Sequence, residues 1–171
     1  MISLLADQRP SVGSRSIAAM RIFFGLVYFS NGLSKFLPGI AHLPGGYYLI
    51  GSQGAKSIIQ HNAQHHPVGF YHFLVFNLFV PNWSFFGPLL GIAEMAAGFL
   101  LIFGLASWIG ALLAMLLSLH VQFSDATGPW LFEYAVAWVP LLCLVFMRAG
   151  RVWGLDALIA RFSSRWRRRF G

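Results

Sequence analysis

The sequence predicts an all-α membrane protein: a four-transmembrane-helix bundle with an outer interfacial or re-entrant segment between helices 1 and 2 and a C-terminal amphipathic helix. Three observations carry this. The 171 residues are 57% hydrophobic and only 10% charged, against roughly 25% charge in soluble domains, and the mean hydropathy is +0.66. Four apolar segments approach the ~20 residues a bilayer crossing takes. Finally, ten of the twelve basic residues sit towards the two chain ends, the charge bias that orients membrane helices. That placement sets the formal charge of +7 against a lipid surface, and no nucleic-acid partner is expected.

The expected spans are residues 18–37, 85–105, 108–126 and 131–148, within a single membrane domain covering 1–171. Asp7, Arg9 and Pro10 interrupt the start and no small-residue cleavage site follows a short apolar core, so no signal peptide is expected. Arg9, Arg15 and Arg21 precede or begin span one, and seven arginines from Arg148 to Arg169 follow span four. The positive-inside rule then puts both termini in the cytoplasm. Cys143 is the single cysteine, which excludes an intrachain disulfide, a CxxC redox pair and a Cys-ligated cluster. Electron transfer would need a diffusible carrier, a bound cofactor or a partner chain.

Residues 38–84 form an outer cap, far longer than a connection of ~2–8 residues within a bundle. It opens with Pro38, Gly39, Pro44, Gly45 and Gly46, and its second half, residues 67–81, is aromatic-rich but too short to span. A lid over a pocket and passive anchoring by an aromatic belt both fit. After span four, Val152, Leu155, Ile159, Phe162, Trp166 and Phe170 recur at helical spacing between arginines. Residues 149–171 therefore read as a cytoplasmic amphipathic helix on anionic headgroups.

At ~100° per residue, each span shows a face of small residues. Gly25, Tyr28, Gly32 and Lys35 share a stripe in span one; Gly87, Gly91, Glu94 and Gly98 share one in span two. Span three aligns Ser107, Ala111, Ala114, Ser118, Gln122 and Asp125; span four aligns Glu133, Ala137 and Pro140. Small residues let membrane helices approach closely, so each span presents its ionisable residue on its packing face. Glu94 is ~13–14 Å into span two by the helical rise, near mid-bilayer. Lys35, Asp125 and Glu133 are expected to ring the outer mouth above it.

Intramembrane ionisable groups face a cavity or a partner. Glu94 is the candidate catalytic residue, as a proton acceptor for a redox or transport step; a neutral hydrogen-bond strut between helices is the alternative. For Lys35 and Glu133 an interfacial ion pair or simple packing also fits. His120 lies almost opposite Ser118 and Gln122 and is expected to meet lipid or another neighbour; no second intramembrane histidine opposes it as a haem ligand. Candidate binding residues are Asn31, Lys35, His120, Gln122, Asp125 and Glu133. Among the outer histidines, His61 and His65 at i, i+4 could share a metal if their stretch is helical. No Asp, Glu or Cys between Pro38 and Ala93 completes such a site, and no metal or haem cofactor is expected. His42, His61, His65, His66, His72 and Lys56 without an acid make a surface suited to anions at low pH.

These residues also resemble a family. The run Met20-Arg-Ile-Phe-Phe-Gly-Leu-Val-Tyr-Phe-Ser-Asn-Gly-Leu-Ser-Lys35 looks like the first helix of DoxX-type membrane proteins. Gly91-Ile-Ala-Glu94 with Gly98 and the run to Gly104 resembles their second helix, and Ala149-Gly-Arg-Val-Trp-Gly-Leu-Asp156 their motif after the fourth. Val80-Pro-Asn-Trp83 is similar to the DoxD branch, membrane subunits of thiosulfate:quinone oxidoreductases. The connector Leu105-Ala-Ser-Trp108 departs from the family in lacking a basic residue. The resemblance implies a four-helix bundle in a prokaryotic plasma membrane that passes electrons from a reduced sulfur compound, or another reductant, to quinone. It singles out Arg21, Asn31, Lys35, Glu94 and Asp156, and implies a membrane or periplasmic partner subunit or a homo-oligomer. A non-catalytic structural or assembly subunit is the rival reading.

Overall fold

A computed structural model describes residues 12–37, 39, 49–125, 131–147 and 149–160. Among them there are helices and turns and no strand. The order is α1 (Val12–Ser34), α2 (Ser52–Gln64), α3 (Gly69–Leu74) running into a π-helical turn (Val75–Phe79), α4 (Trp83–Phe103), α5 (Ser107–Ser124), α6 (Leu131–Phe146) and a 3-10 turn (Ala149–Arg151). Three helices are long and apolar enough to cross a membrane: Gly13–Ser34, Trp83–Phe103 and Ser107–Ser124. The fourth expected span is the 16-residue α6, about 24 Å long at the helical rise, against ~30 Å of hydrocarbon. Large apolar side chains face outwards on all four long helices: Phe23, Phe85, Ile92, Leu116, Val136 and Phe146 are all exposed. Such a surface suits lipid rather than water.

Glycines set how the helices meet. A Cβ on Gly25 would press on Ile102 and the Gly98 carbonyl; one on Gly32 would press on Met95 and the Gly91 carbonyl. The pairing 25 with 98–102 and 32 with 91–95 makes α1 and α4 antiparallel and nearly in backbone contact. This is the close approach that small faces permit, and the expected stripes in spans one and two do meet. On α5, Ser107, Ala111, Ala114 and Ser118 are buried, as their shared face predicts. Ala97, Leu101, Ala111, Ala114, Leu141, Leu144 and Ala149 form the core.

The end of the bundle where α1 begins and residues 149–160 lie is closed by a polar knot. Gly104, at φ +62°, turns the chain between α4 and α5, a left-handed conformation glycine adopts without cost. Ala106 follows at φ 43°, which costs an L-residue roughly 1–2 kcal/mol. Asp156 offsets this strain: its Oδ1 accepts from Ala106 N–H at 2.8 Å and its Oδ2 from Ser107 N–H at 3.3 Å, capping α5. Ser107 Oγ accepts from Gly150 N–H at 2.8 Å. Arg21, fully buried, donates from Nη1 to the Ala149 carbonyl at 3.1 Å and from Nη2 to the Trp153 carbonyl at 3.0 Å. Residues 149–156 thus fold back beneath the bundle instead of simply beginning a surface helix. Residues 155–160 are helical; the rest of the expected tail lies outside the described residues.

Helix α1 starts earlier than expected and stops at Ser34 rather than residue 37. Lys35 and Phe36 lie against Gly91, so α4 rises past the end of α1 by eight residues, about 12 Å. The cap sinks into that gap. Ser52, at the start of α2, accepts from Trp83 Nε1 at 3.1 Å beside Gly87. At the other end, Asn62 Nδ2 donates to Ser124 Oγ at 3.3 Å. Helix α2 therefore crosses the mouth from the α4 side to the end of α5, and Tyr71 and Val75 pack on Ala63 behind it.

The glycine contacts yield a stability prediction. Gly98→Val, whose side chain would meet the Phe29 backbone and the Gly25 carbonyl, is expected to destabilise by about 1–3 kcal/mol in detergent unfolding. Gly54→Ala, which meets only Ile50 Cγ2 at 3.5 Å, is expected to leave stability unchanged or slightly raised.

Candidate functional site

Under the cap lies a cavity of about 280 Å³ lined by Tyr28, Asn31, Lys35, Ile50, Ala55, Ile58, Ile59, Leu90, Glu94, Leu117, Ser118, His120, Val121, Ser124 and Ala137. Each helix except α3 contributes. Its walls are mostly aliphatic. Ile58 and Val121 both line it and are exposed at 42% and 45%, which marks its opening between the cap and α5.

Its main polar feature is an ion pair. Lys35 Nζ lies 2.5 Å from Glu94 Oε2, and the two side chains are 3% and 15% exposed. Glu94 stands midway along the 21 residues of α4, and α1 ends level with Gly91, so Lys35 reaches it directly. The expectation had Lys35 in a ring at the outer mouth with Asp125 and Glu133, and Glu94 below them. The early stop of α1 corrects that: the lysine turns inwards. A buried charge without a partner is costly, so the pair fixes the axial level of α1 on α4.

Lys35 also secures the chain that re-enters after residues 40–48. Its Nζ is 3.4 Å from both the Asn31 and Ile50 carbonyls. Ser34 Oγ lies 2.7 Å from the Asn31 carbonyl and 3.2 Å from that of Ile50. Ile50 N–H in turn donates to Asn31 Oδ1 at 3.2 Å. Both backbone groups of Ile50 are thereby held, and this residue becomes a strap across the mouth. Asn31 lines the cavity and takes part in this clamp. Ser34 and Ile50 were not anticipated, although a polar Asn-x-x-Ser-Lys ending on an apolar helix is the available signal.

Deeper in, Tyr28 donates to the Ala114 carbonyl at 2.8 Å and shares a hydrogen bond with the Ser118 hydroxyl, tying α1 to α5. His120 does line the cavity, at its rim, with its ring 6.3 Å from Tyr71. Its neighbour is the cap, which covers the side of α5 that a bare four-helix arrangement would leave to lipid. Gln122 does not line the cavity: its Oε1 accepts from Trp138 Nε1 at 2.7 Å, joining α5 to α6. Asp125 follows the end of α5 and is not among the lining residues. The side chain of Glu133 lies outside the described residues.

The hinge between α2 and α3 rests on His66, which is buried. Val68 N–H donates to its Nδ1 at 3.1 Å, so Nε2 carries the hydrogen and donates to the Phe123 carbonyl at 2.8 Å. Tyr71 stacks against it at 4.5 Å; burial pushes the Tyr71 phenol above its ordinary pKa, with the Ser124 hydroxyl acting the other way. Sequence alone did not separate His66 from its four neighbours in the cap. His61 is in the last turn of α2, whereas His65 is its C-cap, at φ −105° and ψ 4° and so outside the helix, and among the described residues no group of three or more His, Cys, Asp or Glu gathers.

In comparisons with known proteins, no family model matches the chain, and neither a curated protein nor a solved structure matches it.

The Ile50 clamp is open to test. Replacing Asn31 with Leu removes the acceptor for the Ile50 amide, and Ser34→Ala removes a donor to its carbonyl. A hydrogen bond contributes a net ~0.5–1.5 kcal/mol, so amide exchange at residues 49–51 should quicken roughly 2–10-fold in Asn31→Leu and less in Ser34→Ala, where Lys35 still holds the Ile50 carbonyl. Exchange in α5 should not change.

Proposed function

We propose that the chain is a DoxX-like, four-span subunit of a quinone-linked oxidoreductase in a prokaryotic plasma membrane, serving oxidation of a small anionic reduced-sulfur donor. The observation that carries this is the buried Lys35–Glu94 pair on the wall of an aliphatic cavity beneath a cap. In this reading α6, with Pro140 inside it, is the fourth crossing, in a locally thinned or tilted setting. The arginine bias puts the knot of Arg21 and Asp156 on the cytoplasmic side and the cap outside.

The residues fit a quinone headgroup. At about 280 Å³ the cavity is just below the usual ~300–1,000 Å³ of ligand pockets, enough for a ring but not for an isoprenoid tail. Its aliphatic walls suit the ring faces, and its opening past Ile58 and Val121 would let a tail leave towards lipid. His120 and Asn31 offer donors to a carbonyl oxygen, while Glu94 offers a carboxylate; the three Lys35 hydrogens are taken by Glu94 and the Asn31 and Ile50 carbonyls. A quinone, when bound, supplies an acceptor of two electrons and two protons.

The chain's own residues would then bind and exchange protons. Asn31 and His120 would orient a carbonyl oxygen while Lys35 keeps Glu94 fixed; Glu94 holds or releases a proton at its carboxylate. The cap excludes water, and Ile50 closes the side towards α1. Cap histidines and Lys56 would attract an anionic donor. A structural subunit is the second reading, because a fully paired Lys35–Glu94 bridge also serves as a strut between α1 and α4.

Glu94→Gln separates the two. With the chain and its co-purifying partners in membranes, thiosulfate-driven reduction of a short-chain ubiquinone is expected to fall at least a hundredfold in kcat, the usual scale for losing a general acid–base group. Full activity with normal folding would remove Glu94 from the mechanism and leave the strut.

A further inference from the structure

The C-terminal end of α2 holds a second arrangement, in which His61 is in the last turn and His65 is the C-cap. His61 and His65 stand one turn apart, both exposed, with ring centroids 5.2 Å apart and planes tilted by 54°. His65 Nδ1 is 3.2 Å from the His61 carbonyl oxygen. A carbonyl only accepts, so Nδ1 carries the hydrogen and Nε2 keeps its lone pair. This is how a metal-ligating histidine is commonly held: one ring nitrogen donates to a backbone carbonyl, which fixes the tautomer and presents the other. The other described cap histidines are placed differently. His66 uses both ring nitrogens in the hinge, and His72 stacks on Phe76 at 4.6 Å on α3.

We propose that His61 and His65 form a bidentate site for a borderline transition-metal ion such as Cu²⁺ or Zn²⁺, with water in the remaining positions. Imidazole selects these ions over Mg²⁺ and Ca²⁺, which want oxygen ligands, and no acid lies between Pro38 and Ala93 to supply any. The two rings come together at the C-terminal end of α2, 5.2 Å apart, although His65 is the C-cap and no longer helical, and Lys56, about 140° around the helix from His61, does not contest the site. With two protein ligands the site is open, so its occupancy follows the free metal concentration. Its effect is mechanical: an ion bridging residues 61 and 65 clamps the last turn of α2, next to Asn62, which bonds Ser124, and Ala63, on which the second cap helix packs. Binding to the folded form alone then raises stability by mass action. The site is independent of any quinone.

The test is titration of the purified full chain with Cu²⁺, read by electron paramagnetic resonance, with thermal unfolding in parallel. One ion per chain is expected at this site, with coupling to two imidazole nitrogens. His61→Asn and His65→Asn should each weaken binding at least tenfold, and His72→Asn should not. Tm should rise with Cu²⁺ or Zn²⁺ and not with Mg²⁺. Should either variant fail to fold, diethyl pyrocarbonate labelling of the unaltered chain replaces it: Zn²⁺ should protect His61 and His65 and leave His72 reactive. Undiminished binding in His61→Asn or His65→Asn, equal loss in His72→Asn, coupling to a single nitrogen, or labelling unaffected by Zn²⁺ would each overturn the site.

Discussion

A charge inside a membrane span must be matched, and the Lys35–Glu94 pair is where this protein meets that constraint. The match sets more than two side chains. For Lys35 to reach a carboxylate midway along α4, α1 must end level with Gly91, and Gly25, Gly32, Gly91 and Gly98 let the two backbones come close enough. Ending α1 there leaves the outer part of α4 without a neighbour. Helix α2 fills that space, crosses to α5, and encloses the cavity. The strap at Ile50 depends on the same lysine, through its contact with the Ile50 carbonyl.

The opposite end meets the same constraint with different chemistry. Arg21 is buried against backbone carbonyls, and the half-buried Asp156 accepts from backbone amides at the start of α5. Each charged group satisfies main-chain atoms that the tight turns at Gly104 and Trp153 would otherwise leave bare. The bundle therefore has a firmly tied end and an end that holds a cavity.

Much of this was legible in the chain, and the boundary has a physical cause. Periodicity identifies which face of a helix packs, so the glycine stripes of α1 and α4 and the small-residue face of α5 could be read directly. It does not give the level at which one helix stands against another. Lys35 and Glu94 were therefore both recognised, yet assigned to different depths, because their meeting depends on where α1 stops. Gln122 shares a face with Ser118, but a nearby indole, Trp138, takes its amide oxygen. His120 looked misplaced only while the cap was imagined apart from α5. Asp156 stood in a motif whose resemblance flagged it, while its job as a cap for α5 spans 49 residues and leaves no local pattern.

The most direct measurement is a double-mutant cycle on unfolding free energy with Lys35→Met, Glu94→Leu and the two combined. If a buried mutual pair sets the architecture, each single change strands a charge and costs about 3–5 kcal/mol, while the double replacement recovers most of that loss. Additivity of the two single effects to within ~0.5 kcal/mol would mean that the two side chains do not depend on each other, contradicting the account.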